Sequence, residues 1–119
     1  MPKASIKRNI NCSKKDLIDL VLNIEEYPKF IPYCLNAHIY KDESVGKFQD
    51  IEADLTIGKG PFKDTYKSDV KFDKKESIIY VKNIEGPLKY LENKWKFDQK
   101  ENFTEVTFDL DFELKNKFL

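Results

Sequence analysis

The last stretch of the chain, residues 106–114, alternates apolar and polar residues without a break and reads VTFDLDFEL. Successive side chains of a β-strand point to opposite sides of the sheet. This pattern therefore predicts a strand with one apolar, buried face, called the dry face, and one polar, solvent-exposed face, called the wet face. Because the dry face is apolar, a sheet built from such strands must cover this face with another layer of the structure. The dry set is Val106, Phe108, Leu110, Phe112 and Leu114, and the wet set is Thr107, Asp109, Asp111 and Glu113.

Most of the preceding sequence follows the same period of two. The connections between the alternating segments are short, which favours antiparallel neighbours in a meander. Together with the last strand, they predict an antiparallel sheet of about seven strands in an α+β domain. The earlier strands are predicted at residues 3–10, 36–42, 51–57, 62–72, 77–83 and 91–97.

Only the segment after the first strand has helical periodicity. Ser13 is a good N-cap, and Asp16 stands three residues later at the capping-box position. Pro28 should end or bend this helix, and residues 28–33 predict one more short helical turn that closes at Pro32. The apolar stripe of the helix is predicted to be Leu17, Leu20, Val21 and Ile24.

Charge and composition limit the possible partners. The chain has 21 basic and 21 acidic residues among 119, and Arg8 is its only arginine. Readers of nucleic acid usually present a basic face with arginine forks. We therefore expect no DNA partner.

The N-terminus, MPKASIKRN, lacks the apolar core of a secretory signal, and the longest apolar runs are far too short for a membrane span. The sequence predicts a cytoplasmic protein. Cys12 and Cys34 form no CxxC pair, so reduced, partly buried thiols are expected rather than a disulfide.

Two turns at one end of the predicted sheet are unusual. GKGPF (58–62) and EGPL (85–88) each place a large apolar residue, Phe62 or Leu88, directly after a Gly-Pro pair. These residues either begin their strands or form the rim of a hydrophobic cavity. In the second case, the apolar loop EEYPKFIPYC (25–34) would complete the rim. Its contributing residues would be Tyr27, Phe30, Ile31 and Tyr33.

The inward aromatic and leucine residues have the same two interpretations, packed core or cavity wall. Both can hold at once, because a cavity wall is packed core on its other side. Tyr66 could add a polar contact through its hydroxyl group. The candidate wall residues are Leu55, Phe62, Tyr66, Leu88, Leu91, Trp95, Phe97 and Phe112.

Catalytic chemistry has little support in the sequence. His38 is the only histidine, which excludes a histidine-dependent triad and a multi-histidine metal site. The carboxylates of Asp109, Asp111 and Glu113 fall on the wet face of their strand, away from a cavity. The sequence thus predicts no catalytic residue, no metal site and no required cofactor.

Four segments resemble the polyketide cyclase / coenzyme Q-binding branch of the START-like, or helix-grip, superfamily. They are MPKASIKRNI, LIDLVLNIEEYPKFIPYC, EGPLKYLENKWKFDQ and VTFDLDFELKNKFL. This branch includes mitochondrial coenzyme Q-binding proteins and the bacterial ribosome-association toxin RatA. Leu88 stands where many relatives have phenylalanine, and the residues matching Glu92 and Asn93 are often smaller or apolar in relatives.

The resemblance implies a START/Bet v 1-like fold, in which a curved antiparallel sheet grips a long C-terminal helix, with an elongated apolar cavity between them. That helix would follow directly after FELKNKFL, so we expect a single domain over residues 1–119 that stops before it. The resemblance further implies non-enzymatic binding of a lipid, foremost ubiquinone or a related quinone, with possible peripheral contact with the inner respiratory membrane. The alternatives are a RatA-like protein that binds the ribosome and blocks subunit association, and a polyketide cyclase/aromatase.

Overall fold

The computed structural model describes residues 3–114 as one seven-stranded antiparallel sheet with two helical segments on one side. The helical segments follow the first strand, and the remaining strands then run in sequence, as predicted. The elements are β1 (Lys3–Ile10), α1 (Lys14–Leu22), the 3₁₀ helix α2 (Ile24–Lys29), β2 (Cys34–Val45), β3 (Phe48–Lys59), β4 (Phe62–Asp73), β5 (Ile78–Glu85), β6 (Leu88–Gln99) and β7 (Thr104–Leu114).

The sheet is a meander from β2 to β7, with β1 added beside β7, so the spatial order is β1-β7-β6-β5-β4-β3-β2. The register keeps the apolar residues of neighbouring strands on one face, which we call the inner face. Leu55 lies opposite Tyr66, for example, and Trp95 lies opposite Phe108. This agrees with the period-two pattern of the sequence.

Strand β2 is longer than the predicted segment 36–42 and runs over Cys34–Val45. Its register against β3 shifts between Cys34 and Asn36 and again between Ile39 and Lys41. Each irregularity interrupts the alternation of faces, which explains why the sequence pattern marked only the middle of this strand.

The helical region departs from the prediction in three ways. The helix α1 already ends at Leu22, so Pro28 neither ends nor bends it. The extra turn lies at Ile24–Lys29 as a 3₁₀ helix that contains Pro28, not at residues 28–33. In α1, Ile18 is buried, whereas Leu20, expected in the buried stripe, is half exposed. The helix is therefore rotated on the sheet relative to the stripe that simple spacing suggests.

The core lies between these helices and the middle of the inner face. Ile51, Ala53 and Ile79 are almost fully buried there, and Ile24 of α2 reaches the same cluster. Burial of such side chains is the main favourable term in folding. Thr104 is also fully buried, and its hydroxyl donates to the Cys12 carbonyl oxygen at 2.7 Å, which ties the start of β7 to the connection between β1 and α1.

The inner face is less well covered towards β1. Ile6 and Ile10 remain 45% and 36% exposed, although both belong to the apolar side of the sheet. The predicted C-terminal helix concerns sequence outside the described residues 3–114 and stays a prediction. Neither α1 nor α2 is long and apolar enough to cross a lipid bilayer.

Candidate functional site

An apolar cavity of about 300 Å³ lies between the helical segments and the inner face of the sheet. We call it the inner cavity. Its helical wall comes from α1 and α2, and its floor comes from β3 to β7. The lining residues are Val21, Ile24, Tyr27, Leu55, Ile57, Tyr66, Ser68, Val70, Val81, Asn83, Leu91, Asn93, Trp95 and Phe108.

Aromatic packing shapes one side of the cavity. The Trp95 ring meets the Phe108 ring edge-on, with 4.6 Å between centroids and 62° between planes. On the other side, Trp95 stacks parallel to Phe97 at 6.3 Å. Such contacts hold the large indole in one orientation, so the cavity wall here is preformed.

Tyr27 closes the helical side of the cavity. Its hydroxyl donates a hydrogen bond to the Val21 carbonyl oxygen at the end of α1. Burial, with a smaller contribution from nearby Cys34, raises the pKa of Tyr27 to about 12, so the phenol stays protonated near neutral pH. Tyr27 thus joins α1 to α2 and presents its ring, not a charge, to the cavity.

The structure brings five of the predicted site residues together as cavity lining. Phe97 instead lies buried in the core beneath the cavity wall. Phe112 and Leu88 are half buried on β7 and β6 and do not line the cavity. The five lining residues are Tyr27, Leu55, Tyr66, Leu91 and Trp95.

Phe30, Ile31, Tyr33 and Phe62 lie at one end of the sheet, outside the cavity lining, and we call them the exposed rim. A hydrogen bond from the Gly58 N–H to the Tyr33 carbonyl oxygen, 2.9 Å long, places the loop before β2 against the β3–β4 hairpin. Phe62 is 82% exposed and Tyr33 is 60% exposed. The Phe30 ring meets that of Tyr27 edge-on at 5.9 Å, which connects the rim with the inner cavity.

The prediction from sequence missed nine lining residues, most of them aliphatic or polar, because the predicted wall consisted mainly of aromatic residues and leucines. Strand alternation was the available signal, since every missed strand residue lies on the inner face. Helical spacing had marked Val21 and Ile24 only as a buried stripe. The missed residues are Val21, Ile24, Ile57, Ser68, Val70, Val81, Asn83, Asn93 and Phe108.

The comparisons with known proteins agree with this architecture. Residues 10–119 match the sequence profile of the family described as "Polyketide cyclase / dehydrase and lipid transport". The chain belongs to this family. The family description covers both cyclases and lipid transport, so membership alone does not separate an enzyme from a binding protein.

Two curated relatives have different names. The chain is 31% identical over 108 residues to "Ribosome association toxin RatA" of Rickettsia prowazekii, covering 88% of this chain and 71% of the relative. It is 32% identical over 102 residues to "Coenzyme Q-binding protein COQ10, mitochondrial" of Dictyostelium discoideum, covering 83% of this chain. The chain spans only 48% of that second relative's length.

Among solved structures, a START superfamily protein from Mycobacterium smegmatis superposes with a TM-score of 0.82 at 18% identity. The match covers 98% of this chain and 80% of the other. It confirms the predicted START/Bet v 1-like helix-grip class for the sheet and the N-terminal helices.

The opposite, outer face of the sheet carries a wider groove of about 750 Å³ along β1, β7, β6 and β5. Charged side chains such as Lys82, Glu92 and Lys94 line much of it. The carboxylates of Asp109 and Asp111 point into this groove, where Ser5 donates to Asp109 at 2.6 Å. They lie on the wet face as predicted, although that face is not free of cavities.

Other candidate chemical groups have structural partners. The His38 ring is half exposed and packs edge-on against Tyr40, and its Nδ1 lies 3.5 Å from a Glu25 carboxylate oxygen. Glu113 is buried and pairs with Lys89 at 3.1 Å. Within residues 3–114, no three His, Cys, Asp or Glu side chains are placed to hold a metal ion.

Proposed function

We propose that this protein binds an apolar ligand in the inner cavity, foremost ubiquinone or a related isoprenoid quinone, and does not transform it. The observation that carries the proposal is the cavity itself, about 300 Å³ and lined mainly by aliphatic and aromatic side chains. This volume lies at the lower end of the range for small-molecule sites and suits a substituted ring with the first part of a tail.

The lining favours binding over catalysis. Among residues 3–114, the only titratable side chains of the lining are Tyr27 and Tyr66, and the hydroxyl of Tyr27 is engaged with the Val21 carbonyl oxygen. General acid–base catalysis needs a group whose pKa lies near the working pH, whereas the pKa of Tyr27 is about 12. Apolar contact alone contributes roughly 0.8 kcal/mol per buried methylene, so a ligand with an alkyl tail needs no catalytic group to be retained.

The similarity to the coenzyme Q-binding protein supports a quinone as the first ligand to test. The protein should be purified from quinone-replete cells, extracted with organic solvent and analysed by mass spectrometry. Leu55→Trp would fill the cavity, while Thr56→Trp adds the same side chain on the outer face, where Thr56 contacts Thr65. We expect quinone with the wild type and Thr56→Trp but not with Leu55→Trp; clean protein that also rejects added quinone would refute the proposal.

The exposed rim supports a peripheral contact with a membrane, from which a cytoplasmic protein would collect its ligand. Phe62 is flanked by Lys59 and Lys63, a combination suited to anionic lipid. Phe62→Asp should reduce co-flotation with anionic vesicles. Val45→Asp is the matched control, because Val45 is 71% exposed but lies near the opposite end of the sheet; equal flotation of both variants would contradict the contact.

A second candidate function is ribosome binding that blocks subunit association, and the similarity to RatA favours it. Overproduction would then arrest growth and deplete joined ribosomes in sucrose gradients. Normal growth with a normal gradient profile would remove this candidate. A cyclase or aromatase activity on polyketides ranks below both, because the described cavity offers only tyrosines as acid–base groups.

A further inference from the structure

One polar side chain interrupts the apolar floor of the inner cavity in the middle of a strand. On β6 the inner-face residues Leu91, Asn93, Trp95 and Phe97 follow one another at a spacing of two, and only Asn93 is polar. Its partners in the neighbouring strands are Val81 on β5 and Leu110 on β7. Asn93 therefore stands between apolar neighbours, where an amide has few groups with which to pair.

Two other polar side chains of the lining are already engaged. The Tyr27 hydroxyl bonds to the Val21 carbonyl oxygen. The Asn83 amide nitrogen, in the orientation that satisfies its surroundings, donates to the carbonyl oxygens of Lys67 at 2.8 Å and Glu85 at 3.1 Å. It thereby supports the register shift between β4 and β5 at Lys67. These two hydrogen bonds to the backbone explain why a polar residue, Asn83, occupies this position in the cavity lining.

Asn93 is held differently. The indole N–H of Trp95 donates to its Oδ1 at 3.1 Å. Because the indole nitrogen can only donate, this bond decides which end of the amide is the oxygen. The amide nitrogen, with its two hydrogens, is left without an acceptor among residues 3–114. Such a donor beside the cavity can pair with water, and an apolar ligand that displaces the water without offering an acceptor forfeits that hydrogen bond.

We propose that the Asn93 amide donates a hydrogen bond to a carbonyl oxygen of the bound ligand, so that the cavity prefers apolar molecules with a carbonyl group over hydrocarbons of the same shape. This inference rests on the proposed function, since it concerns the same cavity. Trp95 acts as a positioning residue, because its bond to Oδ1 orients the amide nitrogen. Tyr66 also lines the cavity and is another residue with a polar group, its hydroxyl.

The test compares two probes that differ in one atom group. Methyl nonyl ketone carries the carbonyl, and in its methylidene analogue a methylene group replaces the oxygen. Trp95 is the only tryptophan and lines the cavity, so its emission reports binding of either probe. The quantity measured is the selectivity, the dissociation constant of the analogue divided by that of the ketone.

We expect Asn93→Leu to lower this selectivity by about five- to tenfold, the range of one neutral hydrogen bond. Asn36→Leu makes the same change at an exposed position opposite Thr56 and should leave the selectivity unchanged. If Asn93→Leu does not fold, Asn93→Asp serves instead, because an ionised carboxylate still accepts from Trp95 but cannot donate. Infrared spectra of the carbon-13-labelled ketone should also show a lower carbonyl frequency in the wild type than in Asn93→Asp.

The outcomes separate this inference from the proposed function. Binding of both probes with the same selectivity and carbonyl frequency in wild type and variants would overturn the role of Asn93 and leave an unselective apolar cavity. Failure of the wild type to bind either probe would refute the proposed function, and the inference with it.

Discussion

The backbone N–H of Gly58 donates to the carbonyl oxygen of Tyr33 at 2.9 Å, and this bond joins the loop before β2 to the β3–β4 hairpin. Gly58 has a φ of 156° and no room for a side chain. A Cβ atom at this position would lie only 2.1 Å from the carbonyl oxygen of Phe62. The apolar rim therefore depends on a glycine that lets two backbones approach closely.

Gly58→Ala should destabilise the protein by roughly 2–4 kcal/mol, because the backbone of the hairpin must move to admit the methyl group. Urea denaturation measures the loss. Gly60→Ala is the control: it has a φ of 60° in the same hairpin but no atom within 4 Å of the added Cβ. Gly60→Ala should lower the free energy of unfolding by only about 1 kcal/mol, because alanine tolerates the left-handed backbone conformation less well than glycine. Equal losses for the two variants would show that the close approach at Gly58 is unimportant.

The cap of α1 offers a second test. The Ser13 hydroxyl oxygen accepts a hydrogen bond from the Asp16 N–H at 3.1 Å, as the sequence predicted. Ser13→Ala should lower the free energy of unfolding by about 1 kcal/mol, since a helix N–H loses its acceptor. Ser13→Asp keeps an acceptor and should retain the wild-type urea midpoint; a loss as large as that of alanine would contradict the capping role.

Much of the fold follows from local patterns in the sequence. The alternation in VTFDLDFEL correctly predicted that β7 has an apolar and a polar face, and the short turns correctly predicted the meander order of the strands. The N-cap at Ser13 marked the start of α1 correctly to within one residue. These features depend on neighbours in sequence, which is why a single sequence could reveal them.

The site was less predictable because it depends on how elements pack. Helical spacing could not show that Ile18 would be buried and Leu20 exposed, since the rotation of α1 is set by contact with the sheet. Phe97 and Trp95 occupy equivalent positions on β6, yet one is core and the other borders the cavity. Which side of an aromatic ring meets empty space is a property of the assembled layers.

Two carboxyl groups on the outer face predict a pH effect. Burial and a hydrogen bond with Asp50 raise the pKa of Asp69 to about 6. The Asp69 hydrogen bond is also the main reason that the pKa of Asp50 is lowered. Among residues 3–114, no donor reaches the buried Oδ1 of Asp50, and a protonated Asp69 can supply the missing hydrogen to this carboxylate.

The folded state therefore binds a proton at Asp69 more tightly than the unfolded chain, in which the pKa of an aspartate is about 3.9. The stabilising contribution is fully present below that value and is lost as pH rises through the folded pKa of about 6. The free energy of unfolding of the wild type, relative to Asp69→Asn, should fall between about pH 4 and about pH 7. Asp64→Asn, at the exposed start of β4, controls for the replacement of an aspartate by asparagine. A flat difference for Asp69→Asn would contradict the shared proton.

The two cysteines should react at very different rates. Cys34 is buried at the start of β2, where burial raises the pKa of its thiol, whereas Cys12 is exposed. Alkylation requires an accessible thiolate, so both effects protect Cys34.

A reagent such as iodoacetamide should label Cys12 quickly in the native protein and Cys34 only after urea unfolds β2. Peptide mapping identifies the labelled site, and Cys12→Ser should abolish only the fast phase. Rapid labelling of Cys34 in the native protein would mean that β2 opens readily beside Tyr27, and the inner cavity would then be far less preformed than its packing indicates.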